Sequence, residues 1–117
     1  MNKWLAAALD LVCVLVFVAV GIRAHSEADA VLSVAAPFII ALAIGWIAAI
    51  PLHDPRSLKA GVVIWLVTLV GGMILRHLFG EGTAAAFIVV AATFLAATML
   101  GWRAILAWVD RRRSAQA

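Results

Sequence analysis

Charge is scarce in this chain. Asp, Glu, Lys and Arg make up 13% of its 117 residues, about half the share of a soluble domain. There is no tyrosine and one cysteine, Cys13. A single cysteine forms no internal disulfide and leaves no zinc pattern. Inside its apolar run, Cys13 reads as a small hydrophobe. The Leu11-Val12 before it lacks the small residue that a lipoprotein cleavage site places ahead of its cysteine. Catalytic motifs are missing as well: no Walker A, no His-Glu-x-x-His, no Gly-x-Ser-x-Gly and no Cys-x-x-Cys. Gly71-Gly72 and Gly80-x-Gly82 read as packing and loop glycines. Ser26, Ser33 and Ser57 have no legible base–acid partnership. The sequence therefore predicts no enzyme, no cofactor and no metal site.

Hydrophobic residues fill the space, at 67% of the chain, against about 45–50% in soluble domains. This excludes an ordinary soluble domain, a disordered chain and a nucleic-acid-binding module. The length leaves room for one domain, 1–117. Four segments approach the ~20 apolar residues that span a bilayer: Trp4 to Ile22, Ala30 to Leu52, Leu58 to Phe79 and Thr83 to Val109, followed by a basic tail over 110–117. Backbone groups in hydrocarbon must be satisfied within their own segment, so each is read as a helix. The first could pass for a signal peptide. Asp10 interrupts its apolar region and Arg23 and His25 flank Ala24 without a small-x-small site, so it is read as a retained span.

The connections carry turn chemistry. His25-Ser26-Glu27-Ala28-Asp29 joins the first pair. His53-Asp54-Pro55-Arg56-Ser57 joins the middle pair, with Pro51 and Pro55 ending a helix and Ser57 as N-cap. Gly80-Glu81-Gly82 joins the last pair, with Thr83 as N-cap. Such short links make sequential helices antiparallel neighbours. Lys3, Arg56, Lys59 and Arg111 to Arg113 fall on one side, and Arg23 and Arg76 on the other. The positive-inside rule then places both termini in the cytoplasm, in the cytoplasmic membrane. The net charge of +3 is concentrated in Arg111-Arg112-Arg113, which suits anionic lipid headgroups better than nucleic acid. All five Trp (Trp4, Trp46, Trp65, Trp102 and Trp108) fall in the cytoplasmic half and read as a one-sided aromatic belt.

Ala28–Ala48 laid over Ala84–Ala104 gives 10 identities in 21 positions, including Val34/Val90, Phe38/Phe94, Gly45/Gly101 and Trp46/Trp102. Six of the ten are Ala, so duplication of a helical hairpin and convergence in an Ala-rich chain both stand as explanations. A duplication would be a parallel repeat about an axis along the membrane normal. Each copy holds a small-xxx-small pair, Ala41 with Gly45 and Ala97 with Gly101, suited to close helix packing. Pro37 has no counterpart and predicts a helix kink.

Charge at membrane depth is costly and marks sites. Asp10 lies roughly 9 Å along the helix from Trp4, and Arg103 about 10 Å from Asp110. The matching depths predict an Asp10–Arg103 pair between the first and last spans, either a packing salt bridge or a gate. Arg103 could instead snorkel to the headgroups. Arg23, His25, Arg76, His77 and Glu81 form an expected outer polar cluster, either a solvated cap or a proton relay.

Taken in order, Asp10, Gly21-x-Arg23-x-His25, Pro37-Phe38, Gly45-Trp46, Trp65, Arg76, Gly82-Thr83, Phe87 and Gly101-Trp102-Arg103 resemble the bacterial and archaeal membrane family called domain of unknown function 3054, from about Leu9 to Trp108. The resemblance implies a small four-helix integral membrane protein. It singles out Asp10, His25, Arg76 and Arg103, and brings no activity with it. Three functions stand open: an oligomeric transporter or channel-like protein, a non-catalytic accessory or structural subunit of a membrane complex, and a lipid- or quinone-binding protein. The expected partners are membrane lipids and either further copies of the chain or another membrane protein.

Overall fold

The computed structural model describes residues 2–25, 31–80 and 85–116, with side chains over 2–20, 35–80 and 85–115. Among the described residues the chain is all helix, without strands. The elements are α1 (Lys3–His25), α2 (Val31–Ala48), α3 (Leu58–Leu78), α4 (Ala85–Leu95) and α5 (Gly101–Gln116). A 3-10 turn, Ile50–Leu52, follows α2, and a π-helical turn, Ala96–Leu100, joins α4 to α5.

Several boundaries differ from the sequence reading. α1 runs on through His25. The second span ends at Ala48, because Pro51 enters the first turn of a separate 3-10 segment. The basic residues Arg111 to Arg113 are part of α5. Pro37 lies buried inside α2, which continues past it. A second irregularity is the π turn at Ala96–Leu100. Local chemistry explains the remaining ends. The Ser57 hydroxyl accepts from the Ala60 N–H (3.1 Å) and caps α3. Gly80 closes α3 at φ +80°, where a side chain would be strained. Thr83, expected as a cap, lies outside the described residues.

The π turn has a consequence for packing. Ala91, Leu95, Met99 and Arg103 are all fully buried at four-residue intervals. In an ideal helix, residues twelve apart are about 120° out of line. A π turn takes up an extra residue and brings Arg103 back to the inner face. The Thr98 hydroxyl donates to the Phe94 carbonyl (2.9 Å) within this turn, the back-bonding that bends helices.

The core gathers Phe17, Phe38, Ala91 and Leu95 with Val14, Ile64 and Met99. Phe17 packs edge-on against Phe38 (5.3 Å) and Phe87 (5.8 Å), with Phe94 tilted beside it (5.8 Å). The exterior is apolar as well as the core. Val12, Val16 and Val20 on α1, Ile40 and Ile44 on α2, and Val62, Leu66, Val70 and Ile74 on α3 are all exposed. These are apolar stripes at helical spacing, turned away from the core. Among the described residues, three helices are long and apolar enough to cross a membrane: α1, α3 and the α4–α5 rod.

Small residues set the closest approach, on α2 against α3. A Cβ on Gly45 would stand 3.1 Å from the Ile64 carbonyl oxygen, and one on Gly71 would meet Ala41 at 3.1 Å. The second expected pair does not pack in this way. Ala97 is exposed and a Cβ on Gly101 would meet nothing within 4 Å. Each sits two residues from the buried line of Leu95 and Met99, hence on the opposite side of the helix. A Cβ on Gly72 would lie 2.5 Å from the Phe38 ring, which the other phenylalanines hold in place. Gly72→Ala is therefore expected to destabilise the fold by about 1–3 kcal/mol, and Gly101→Ala to be neutral or stabilising. Paired unfolding measurements in mixed micelles check both.

Candidate functional site

Two of the buried polar residues carry opposite charge, and they face each other. Asp10 on α1 and Arg103 on α5 are both fully enclosed. The fork geometry is bidentate: Arg103 Nη1 donates to Asp10 Oδ1 (2.8 Å) and Nη2 to Oδ2 (2.7 Å). Planar Arg and carboxylate groups match best in this arrangement.

The pair is not alone. Trp102 Nε1 donates to Oδ1 and Trp46 Nε1 to Oδ2, both at 3.0 Å. The Pro55 carbonyl accepts from Arg103 Nε (3.0 Å) and Nη2 (2.9 Å), and the Met99 carbonyl from Nη1 (3.0 Å). An arginine carries five N–H donors and a carboxylate about four acceptor sites. Every one is used. The Arg103 guanidinium also lies 4.3 Å from the Trp102 ring centroid, a cation–π contact.

Each structural rod supplies a part. Asp10 comes from α1, Trp46 from the last turn of α2, and Trp102 and Arg103 from the start of α5. α3 supplies space: a Cβ on Gly61 would fall 2.5 Å from Arg103 Cδ and 3.0 Å from Nε. The connection before α3 supplies the Pro55 carbonyl. It is held by the Ser57 cap and by an Asp54–Arg56 pair at 3.5 Å.

Trp46 and Trp102, which occupy matching positions in the two similar segments, bind the two oxygens of one carboxylate. Phe38 and Phe94, also equivalent, pack on Phe17, seven residues further along α1. The two similar segments thus meet α1 at two levels, seven residues apart.

Three of the five tryptophans, Trp46, Trp65 and Trp102, make inward hydrogen bonds that a belt does not require. Trp4 and Trp108 are exposed, each near a cation: Lys3 at 5.3 Å and Arg112 at 4.8 Å. Trp46 and Trp102 serve Asp10, and Trp65 on α3 donates to the Ala92 carbonyl of α4 (3.1 Å). Their indole N–H groups are turned inward because a buried donor needs a partner. The repeated Gly-Trp dipeptide was the available signal for Trp46 and Trp102. Nothing in sequence pointed to the Pro55 or Met99 carbonyls.

Of the expected outer cluster, Arg76 lies over the Phe87 ring at 4.3 Å and His77 is exposed in the last turn of α3. The side chains of Arg23 and His25, and all of Glu81, lie outside the described residues. No group of His, Cys, Asp and Glu able to hold a metal ion occurs among the described residues.

The chain belongs to the family described as Protein of unknown function (DUF3054), whose pattern matches residues 7–106. That span contains every member of the Asp10–Arg103 network. No curated protein and no solved structure matches the chain.

Removing either indole N–H leaves a carboxylate acceptor unpaired. Trp46→Phe and Trp102→Phe are each expected to cost about 1.5–3 kcal/mol, the range for hydrogen bonds to charged groups. The two losses should be similar, which reversible unfolding of both variants tests directly.

Proposed function

We propose that this is a multi-pass membrane protein that acts as a non-catalytic assembly subunit, its internal charges holding the bundle together and its outer faces meeting lipid and a membrane-protein partner. The observation that carries this reading is the saturation of the Asp10–Arg103 network. A gate needs a charge that can leave one partner for another. Here all five guanidinium donors and both carboxylate oxygens are committed, on groups with no exposed surface. An ion path also needs polar lining, and the buried polar residues among those described are Asp10, Thr68 and Arg103. The exposed apolar stripes support a lipid-facing exterior. The open small face at Ala97 and Gly101 supports close contact with another helix.

Native mass spectrometry of the protein extracted from its own membrane in mild detergent tests the proposal. The expected result is a stoichiometric second membrane protein, lost in Ala97→Leu while the isolated chain keeps its stability. Asp10→Asn is expected to destabilise the chain by about 3–5 kcal/mol, because it strands a buried arginine. A homo-oligomer whose ion or solute flux changes in Asp10→Asn at unchanged stability would contradict the proposal and favour a transporter.

A further inference from the structure

Beside the charge network lies a cleft of about 240 Å³, lined by Lys3, Trp46, Ala49, Ile50, His53 and Pro55. It opens where the first turn of α1, the end of α2 and the following connection meet. Two of its walls are fixed by the network. The Trp46 indole N–H is committed to Asp10 and the Pro55 carbonyl to Arg103. What these residues offer the cleft is therefore carbon surface. Lys3 and His53, both exposed, are its basic lining residues, and the Lys3 ammonium, 5.3 Å from the exposed Trp4 ring, is within a side-chain rotation of the cleft it lines. No carboxylate lines the cleft, and the acid of the adjoining connection, Asp54, is paired with Arg56.

The size constrains the occupant. Pockets that enclose a drug-sized ligand measure about 300–1,000 Å³. This cleft takes one end of a molecule. Beyond its rim, Ile50 and Ile47 are about two-thirds exposed, and Ile44 and Ile40 continue the apolar track along α2. A cationic notch opening onto an apolar stripe complements an anion with a hydrocarbon tail.

We infer that the cleft holds the headgroup phosphate of an anionic phospholipid, with Lys3 and His53 on the phosphate and an acyl chain along Ile50, Ile47 and Ile44. The inference rests on the membrane-embedded reading above. It assigns the lipid a fixed place, with the clasp residues Trp46 and Pro55 as its walls. Lipid binding and the setting of the Asp10–Arg103 network are then linked through shared residues.

The test uses the full chain in detergent, titrated with phosphatidylglycerol or phosphatidylcholine and followed by native mass spectrometry. The expected result is one retained phosphatidylglycerol per chain, with phosphatidylcholine held more weakly. Lys3→Ala should weaken phosphatidylglycerol about fivefold, the worth of one cation near an anionic surface, and His53→Ala should weaken it further. Both side chains are exposed, so circular dichroism should show unchanged melting. Equal retention of the two lipids, or undiminished binding in Lys3→Ala, overturns the inference. Displacement of phosphatidylglycerol by millimolar inorganic phosphate also overturns it, making the site one for free phosphate. Failure of the membrane reading itself shows separately, as release of the chain from membranes by alkaline carbonate washing.

Discussion

The bundle depends on one buried carboxylate. Moving a carboxylate or a guanidinium out of water costs several kcal/mol per ion even after the surroundings relax. Their attraction offsets this only if the geometry is good and the remaining polar sites are satisfied. Asp10 and Arg103 meet both conditions, through two direct bonds, two indole donors and two backbone carbonyls. Each added partner ties a further element to α1. Trp46 fixes α2, Trp102 and Met99 fix the π turn and α5, and Pro55 fixes the connection that starts α3. Gly61 supplies the clearance that lets the arginine stem reach the site. Moving any one of these elements would leave a buried polar group without its partner.

On the membrane reading proposed above, the apolar outer faces explain why such a clasp is needed. Between helices in lipid there is little hydrophobic driving force, since the lipid tails are as apolar as leucine. Packing and polar contacts must then choose one arrangement among many. Two levels do so here. The phenylalanine cluster around Phe17 fixes one level by shape. The Asp10 network fixes the other by hydrogen bonds, which are directional. The close α2–α3 contact at Gly45 and Gly71 adds a third constraint. The α4–α5 rod runs for about 48 Å at 1.5 Å per residue, well beyond the ~30 Å hydrocarbon layer. Its basic end carries Trp108 and Arg112 stacked together, a form suited to an interface of lipid headgroups.

Much of this is legible in residues and spacing. Hydropathy and the proline, serine and glycine punctuation locate the helices, and the matched depths of Asp10 and Arg103 pair them. The Gly-Trp and Phe repeats mark residues that later meet on α1. Other features follow from three-dimensional packing and leave little trace in sequence. The π turn depends on how Thr98 bonds back and on which face must hold Arg103. Without it, a straight-helix reading turns Arg103 away from the buried line of Ala91 and Leu95. Backbone acceptors such as the Pro55 carbonyl carry no side-chain signature at all. The tryptophans were ambiguous for a physical reason: an indole suits an interface and a buried acceptor equally well, and only the fold says which it finds.

The most direct measurement is a double-mutant cycle between Asp10→Leu and Arg103→Met, read by reversible unfolding in bicelles. If the pair is the interaction that organises the bundle, each single variant is severely destabilised and the double variant recovers part of the loss. The coupling energy should then be about 2–3 kcal/mol, at the upper end for residues in one network. Losses that simply add, with coupling below about 0.5 kcal/mol, would contradict the account.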